Sequence, residues 1–148
     1  MRTFILLLTA LLWGPVAHAQ AIPDAQVPPL AFMALQQLHP QAQNVKWKRV
    51  QGWYQASYMQ SNAPRLVRFD INGEVQATGH DIALGALPLP VQHTLVTYYP
   101  TRTICQAYEV VNTHTGGLSY EMATCETNFS RTITLTGNGR KPSRRRPQ

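Results

Sequence analysis

Charge is scarce in this chain: only 14% of its 148 residues are Asp, Glu, Lys or Arg. Cysteine is scarcer, with two residues. No G-x-S-x-G, H-E-x-x-H, phosphate loop or dinucleotide fingerprint occurs, so no local motif activates a nucleophile or cradles a phosphate. His39, His80, His93 and His114 stand apart, with no partner at i+2 or i+4. A tetrahedral zinc site needs four ligands, and two cysteines with scattered histidines do not supply the spacing. Past the first twenty residues no apolar run approaches membrane-spanning length. The length suits one domain and excludes a large multidomain enzyme. The chain does hold 44% hydrophobic residues with six Tyr, four Phe and three Trp, which argues for a folded core. An enzyme is therefore not expected, and neither is a metal or an organic cofactor.

The first nineteen residues read as a secretory signal peptide. Arg2 gives the positive start, Phe4 to Trp13 an uncharged apolar run, and Ala17-His18-Ala19 a cleavage pattern. Residues 20–26 read as a linker. The net charge of +6 is uneven, because Arg140, Lys141, Arg144, Arg145 and Arg146 crowd the last nine residues. Residues 20–139 hold seven basic and seven acidic side chains. The basic segment 140–148, with two prolines and no apolar anchor, reads as a disordered tail. Such a tail suits an anionic envelope polymer or a lipid headgroup layer. Secretion makes nucleic acid an unsuitable partner.

Pro28 and Pro29 sit where first-turn N–H groups need no acceptor, so a helix can start there, and Pro40 stops it. Ala31, Ala34, Leu35 and Leu38 recur at helical spacing, predicting a helix over 29–39. Two β-branched and aromatic segments then flank Gln51-Gly52. With those two residues as the turn, Trp47 faces Ala56 and Val45 faces Tyr58. Val45, Trp47, Tyr54, Ala56 and Tyr58 share one face, while Lys46 and Lys48 share the other. The segment QSNAP reads as a loop. Arg65 to Asp70 and Glu74 to Gly79 form two more strands around Asn72-Gly73, expected as a primed two-residue turn.

The pattern recurs. Val27-Pro28, Leu35 and His39-Pro40 match Leu87-Pro88, Leu95 and Tyr99-Pro100 at an offset of 60. Val91, Leu95 and Tyr98 give the second helical stripe. Asp70 to Gly73 and Thr136 to Gly139 align at an offset of 66. The fold class expected is α+β, a tandem repeat of helix plus antiparallel sheet, with repeat one over 27–79 and repeat two over 87–139. The last strand of repeat two is expected to be missing or short.

In an oxidising compartment the two cysteines are expected to pair. Centring the second hairpin on Thr115 sets Cys105 opposite Cys125, and Glu109 opposite Glu121. It also puts Tyr108, Val110, Tyr120 and Met122 on the buried side with the sulfurs outward. Alignment with the first repeat equates Cys105 with inward Val45 instead, a conflict that a β-bulge would reconcile.

Val27-Pro28, Asn44-Val45-Lys46-Trp47 and Phe69-Asp70-Ile71-Asn72-Gly73 together resemble the secreted PepSY-like family, also described as β-lactamase-inhibitor-protein-like. The resemblance spans about residues 27–140. His39 replaces the usual Tyr, and the cysteine pair and Arg-rich tail are additions. The resemblance implies tandem helix-and-sheet units and a periplasmic or secreted location, and it implies no catalytic activity. The function expected is a non-catalytic extracytoplasmic protein-binding module, inhibitor-like in its narrower form. Docking is expected through the sheet face and loops, carried by Lys46, Lys48, Trp53 and Arg68. The alternative is an envelope protein held to anionic polymer or lipid by Arg140, Lys141 and Arg144 to Arg146.

Overall fold

A computed structural model of the chain describes residues 20–125 and 131–142. The expected signal peptide, residues 1–19, and Arg144, Arg145 and Arg146 lie outside the described residues. The elements run β1 (Gln20–Ile22), a 3-10 turn (Asp24–Gln26), α1 (Pro29–Leu38), β2 (Gln43–Val50), β3 (Trp53–Gln60), β4 (Ala63–Phe69) and β5 (Val75–Ile82). A second 3-10 turn (Leu84–Ala86), α2 (Leu89–Tyr98), β6 (Ile104–Asn112), β7 (Leu118–Thr124) and β8 (Thr132–Thr136) complete the chain. All eight strands join one antiparallel sheet in chain order, so the two halves share one continuous sheet. Each bound of the second 3-10 turn and of α2 lies 60 residues after its counterpart in the first half.

Both helices cover one face of this sheet. In the first half Ala31 and Leu35 of α1 pack on Trp47, Ala56, Tyr58, Val67 and Phe69. In the second half Val91 of α2 packs on Ala107, Tyr120, Met122, Ile133 and Leu135. The inward stripes stop one turn earlier than their spacing predicts. Leu38 is 55% exposed and Tyr98 73% exposed, because each is the last helical residue and overhangs the sheet. Tyr99, just past α2, packs on the core instead.

Turn chemistry sets the register. Gln51 and Gly52 both have positive φ, the conformation a two-residue primed turn requires, and Trp47 pairs with Ala56 as expected. Val45 falls in a bulge that begins at Asn44, whose φ is 54°. The QSNAP segment is a tight hairpin and no loose loop. Ser61 and Asn62 take φ of 52° and 61°, and β4 starts at Ala63. Asn72-Gly73 departs from the primed form. Gly73 N–H donates to the Asp70 carbonyl and only Gly73 is left-handed, so a four-residue turn ends in a glycine bulge.

Gly139 N–H donates to the Thr136 carbonyl in the same way. A Cβ at Gly73 would stand 2.6 Å from the Leu30 carbonyl oxygen, and one at Gly139 would stand 2.4 Å from that of Pro90. Each turn is thus pressed against the first turn of its own helix, and only glycine leaves room.

The second hairpin is shifted by one residue from the register centred on Thr115. Val111 pairs with Leu118, Glu109 with Tyr120, and Tyr108 with Glu121. The ladder slips at Cys105, between Ile104 and Gln106. Cys105 and Cys125 are disulfide-bonded, 20 residues apart in sequence, and both are exposed. Tyr120 and Met122 therefore face the helices, while Tyr108 and Val110 face the other side with Leu66 and Ala77. Glu109 and Glu121 point to opposite faces and do not form a carboxylate pair.

Candidate functional site

The helix-free face of the sheet carries a polar network built from three strands. Alternation along β3 and the pairing of Gln55 with Arg68 and Lys48 put these three side chains on that face. Arg68 Nε donates to Gln55 Oε1 at 2.9 Å, and Gln55 Nε2 donates to Ser57 Oγ at 3.2 Å. Arg68 Nη2 reaches Glu121 Oε2 at 2.6 Å. Glu121 lies on β7, three strands away from β4. Three strand spacings span roughly 14 Å in a flat sheet, beyond the comfortable joint reach of the two side chains. The sheet therefore curls toward this face. Leu66, Ala77 and Val110 pack together on the same face, and a Cβ at Gly79 would stand 2.9 Å from the Leu66 side chain, so β5 must stay small there.

Both charges are nearly dry, with side-chain exposures of 10% and 12%. A pair so placed adds geometric specificity more than net stability, and removing one partner strands the other charge. The network also acts on Lys48. Burial and then the Arg68 cation hold its ammonium below the usual lysine range, and Glu121 opposes them.

The four docking candidates fall on one face but not in one environment. Lys46 is exposed, Lys48 half-buried and Trp53 36% exposed at the tip of the first hairpin. Arg68 is buried and ion-paired, so it is a structural member of the surface and is not available as an exposed contact. Sequence reasoning missed its partner Glu121 because the two are neighbours only through the whole register from β4 to β7.

On the helix face a smaller cluster joins the halves. Tyr120 Oη donates to Glu109 Oε2 at 3.1 Å, and His80 Nε2 lies 4.0 Å from Glu109 Oε1. Burial, then the hydrogen bond to Glu109, push the Tyr120 phenol up. Among the described residues no group of three or more His, Cys, Asp or Glu is arranged to hold a metal ion. No described helix is long and apolar enough to cross a membrane. Arg140 and Lys141 are exposed.

Solved structures share this fold over about three quarters of the chain. A protein of Bacteroides eggerthii DSM 20697 assigned to the periplasm superposes with a TM-score of 0.56 at 17% identity. The match covers 77% of this chain and 84% of that one. A DUF2874 family protein of Bacteroides uniformis ATCC 8492 gives 0.53 at 18% identity, over 76% and 83% of the two chains. A BLIP-like protein of Bacteroides fragilis NCTC 9343 gives 0.47 at 18% identity, over 74% and 79%. At these identities the first two likenesses establish a common α+β fold, and the third is too loose to add to it. No protein-family model and no curated protein matches the chain.

Proposed function

We propose that this protein is a non-catalytic, extracytoplasmic protein-binding module that docks through the helix-free face of its sheet. The observation that carries this reading is the buried Gln55–Arg68–Glu121 network. It ties β3, β4 and β7 together on the face that also carries Lys46, Lys48 and Trp53, so that surface is ordered before any partner arrives. Preorganisation of this kind lowers the entropic cost of association. An extracytoplasmic location is supported by the signal-peptide pattern, the Cys105–Cys125 disulfide and the periplasmic assignment of a protein with this fold. We read the two halves as a tandem duplication of PepSY-like, β-lactamase-inhibitor-protein-like type. The support is the constant offset of 60 in helices and 3-10 turns and the shared glycine device at Gly73 and Gly139. An inhibitory role is the narrower form of the reading.

The test is capture from the envelope and secreted fractions of the producing cell at moderate salt. The oxidised protein is compared with a Lys46→Ala/Lys48→Ala/Trp53→Ala variant of unchanged melting temperature. A partner retained by the first and lost by the second supports the reading; equal retention removes it.

A second reading has its own observation. Arg140 and Lys141 are exposed at the start of the basic tail, where residues 144–146 add three arginines. This reading holds the protein to anionic envelope polymer or lipid, with the domain as a scaffold. Envelope association would then fall steeply with salt and vanish with residues 140–148.

A further inference from the structure

Among the described residues, the second half of the sheet has no counterpart of β5. In the first half Asp70 N–H donates to the Glu74 carbonyl, and the chain returns as β5 beside β4. In the second half Thr136 N–H donates to the Arg140 carbonyl, which starts the same return. There it halts. Lys141 and Pro142 stand 66 residues after Val75 and Gln76, and Pro142 has no N–H to continue a ladder. Among the described residues nothing pairs with the outer edge of β8. That edge reads Thr-Ile-Thr-Leu-Thr, high in strand propensity and free of charge and proline. An edge of this kind is a template for another strand unless something blunts it.

Next to this edge lies a cleft of about 350 Å³. Thr132, Thr134 and Ile133 of β8 form one wall, and Arg102, Arg131 and Lys141 supply three cations. No Asp or Glu is among its described lining residues.

We infer that β8 is a docking edge for an extended acidic segment of a partner protein, which adds as a ninth strand beside Arg102, Arg131 and Lys141. Main-chain bonds to β8 supply register and the cations supply the choice of sign. The inference deepens the protein-binding reading and rests on it for the class of partner, while naming a different surface from Lys46, Lys48 and Trp53.

The test uses fluorescence anisotropy with the oxidised protein at moderate salt. The probe is a labelled heptapeptide of alternating glutamate and valine. Its controls are the same peptide N-methylated at alternate residues, a lysine–valine analogue, and vesicles containing phosphatidylglycerol. Saturable binding of the acidic peptide is expected, weakened at least tenfold by N-methylation and by an Arg131→Glu/Lys141→Glu variant. Both substituted residues are exposed, so that variant should keep its melting temperature. The Lys46→Ala/Lys48→Ala/Trp53→Ala variant should bind the peptide as the parent does. Absence of binding, equal binding of the N-methylated or lysine peptide, or vesicle binding without peptide binding overturns the inference. Failure of the peptide with partner capture intact removes the edge alone. Peptide binding intact with capture unaffected by the triple variant removes the sheet-face reading alone.

Discussion

The two halves of the molecule build the same unit by different means. Residues 21–40 and 81–100 share one exposure pattern, with a single change where buried Leu35 becomes half-buried Leu95. Yet the first core is aromatic, with Phe32, Trp47, Tyr58 and Phe69 in ring contact or close packing. The second relies on Met122, Leu135, Val91 and Ile133 around Tyr120, with Tyr99 at its margin. The first half closes its sheet with β5, whereas among the described residues the second ends on β8, and it carries the disulfide. The half that buries less aromatic surface is held by a covalent link. The helix starts and the glycine turns are alike in the two halves, while the means of stabilisation differ.

The largest expected effect comes from the aromatic core. Phe69→Ala should cost about 4 kcal/mol, because a fully buried ring leaves a cavity in a close-packed site. Met122→Ala, equally buried, should cost about 3 kcal/mol. Urea unfolding checks both, and a reversed order would break the contrast between the cores.

Glu121→Ala should cost about 3 kcal/mol by leaving Arg68 buried without its carboxylate. The double change Arg68→Met/Glu121→Leu should recover most of that loss. Recovery measured by the same unfolding curves separates a stranded charge from lost packing. Because this pair ties β4 to β7, probes in either half should also report a single unfolding transition.

Removing the disulfide with Cys105→Ser/Cys125→Ser should cost about 3 kcal/mol from a closed loop of 20 residues. Hydrogen exchange should rise more at β6 and β7 than at β2 and β3. A uniform rise would deny the second half its special dependence.

Gly73→Ala and Gly139→Ala should each cost about 2 kcal/mol or more, since each position has positive φ and faces a helix carbonyl. Similar losses sharpen the equivalence of the turns; a silent Gly139→Ala would break it.

The smallest effect is a pH dependence confined to the first half. His39 packs against the Tyr58 ring with centroids 5.0 Å apart, and burial holds its imidazole below the ordinary value of 6.5. The folded state thus resists a proton that the unfolded chain accepts. Stability should fall as pH drops from about 6.5 toward the lower folded value, and a His39→Asn variant should lose this slope. Thermal melts between pH 7.5 and 5 check it; an unchanged slope would remove His39 as its source.

Much of the architecture was legible because it is written in local rules. Pro29 and Pro40 bounded α1, Gln51-Gly52 fixed the first hairpin, and alternation assigned Trp47 and Lys48 to opposite faces. The misses came where distant geometry decided. Ser61-Asn62 formed a primed turn without glycine, which nothing in QSNAP signals strongly. The turn of the second hairpin set its register one residue away from the one centred on Thr115, which moved Glu109 off the face of Glu121. Arg68 was read as an exposed cation, since its place on the sheet comes from alternation but its burial comes from curvature and from Glu121 three strands away. Of the candidate site, the face was readable and the degree of exposure was not.

The central claim is that the helix-free face of the sheet meets the partner. The most direct measurement places a benzophenone photo-cross-linking residue at Lys46, on the helix-free face, or at Gln36, on the outward side of α1. Each variant is irradiated in the envelope of the producing cell. Docking through the sheet predicts a discrete cross-linked protein from position 46 and none from position 36. A cross-link from position 36 alone would contradict it and move the docking surface to the helices.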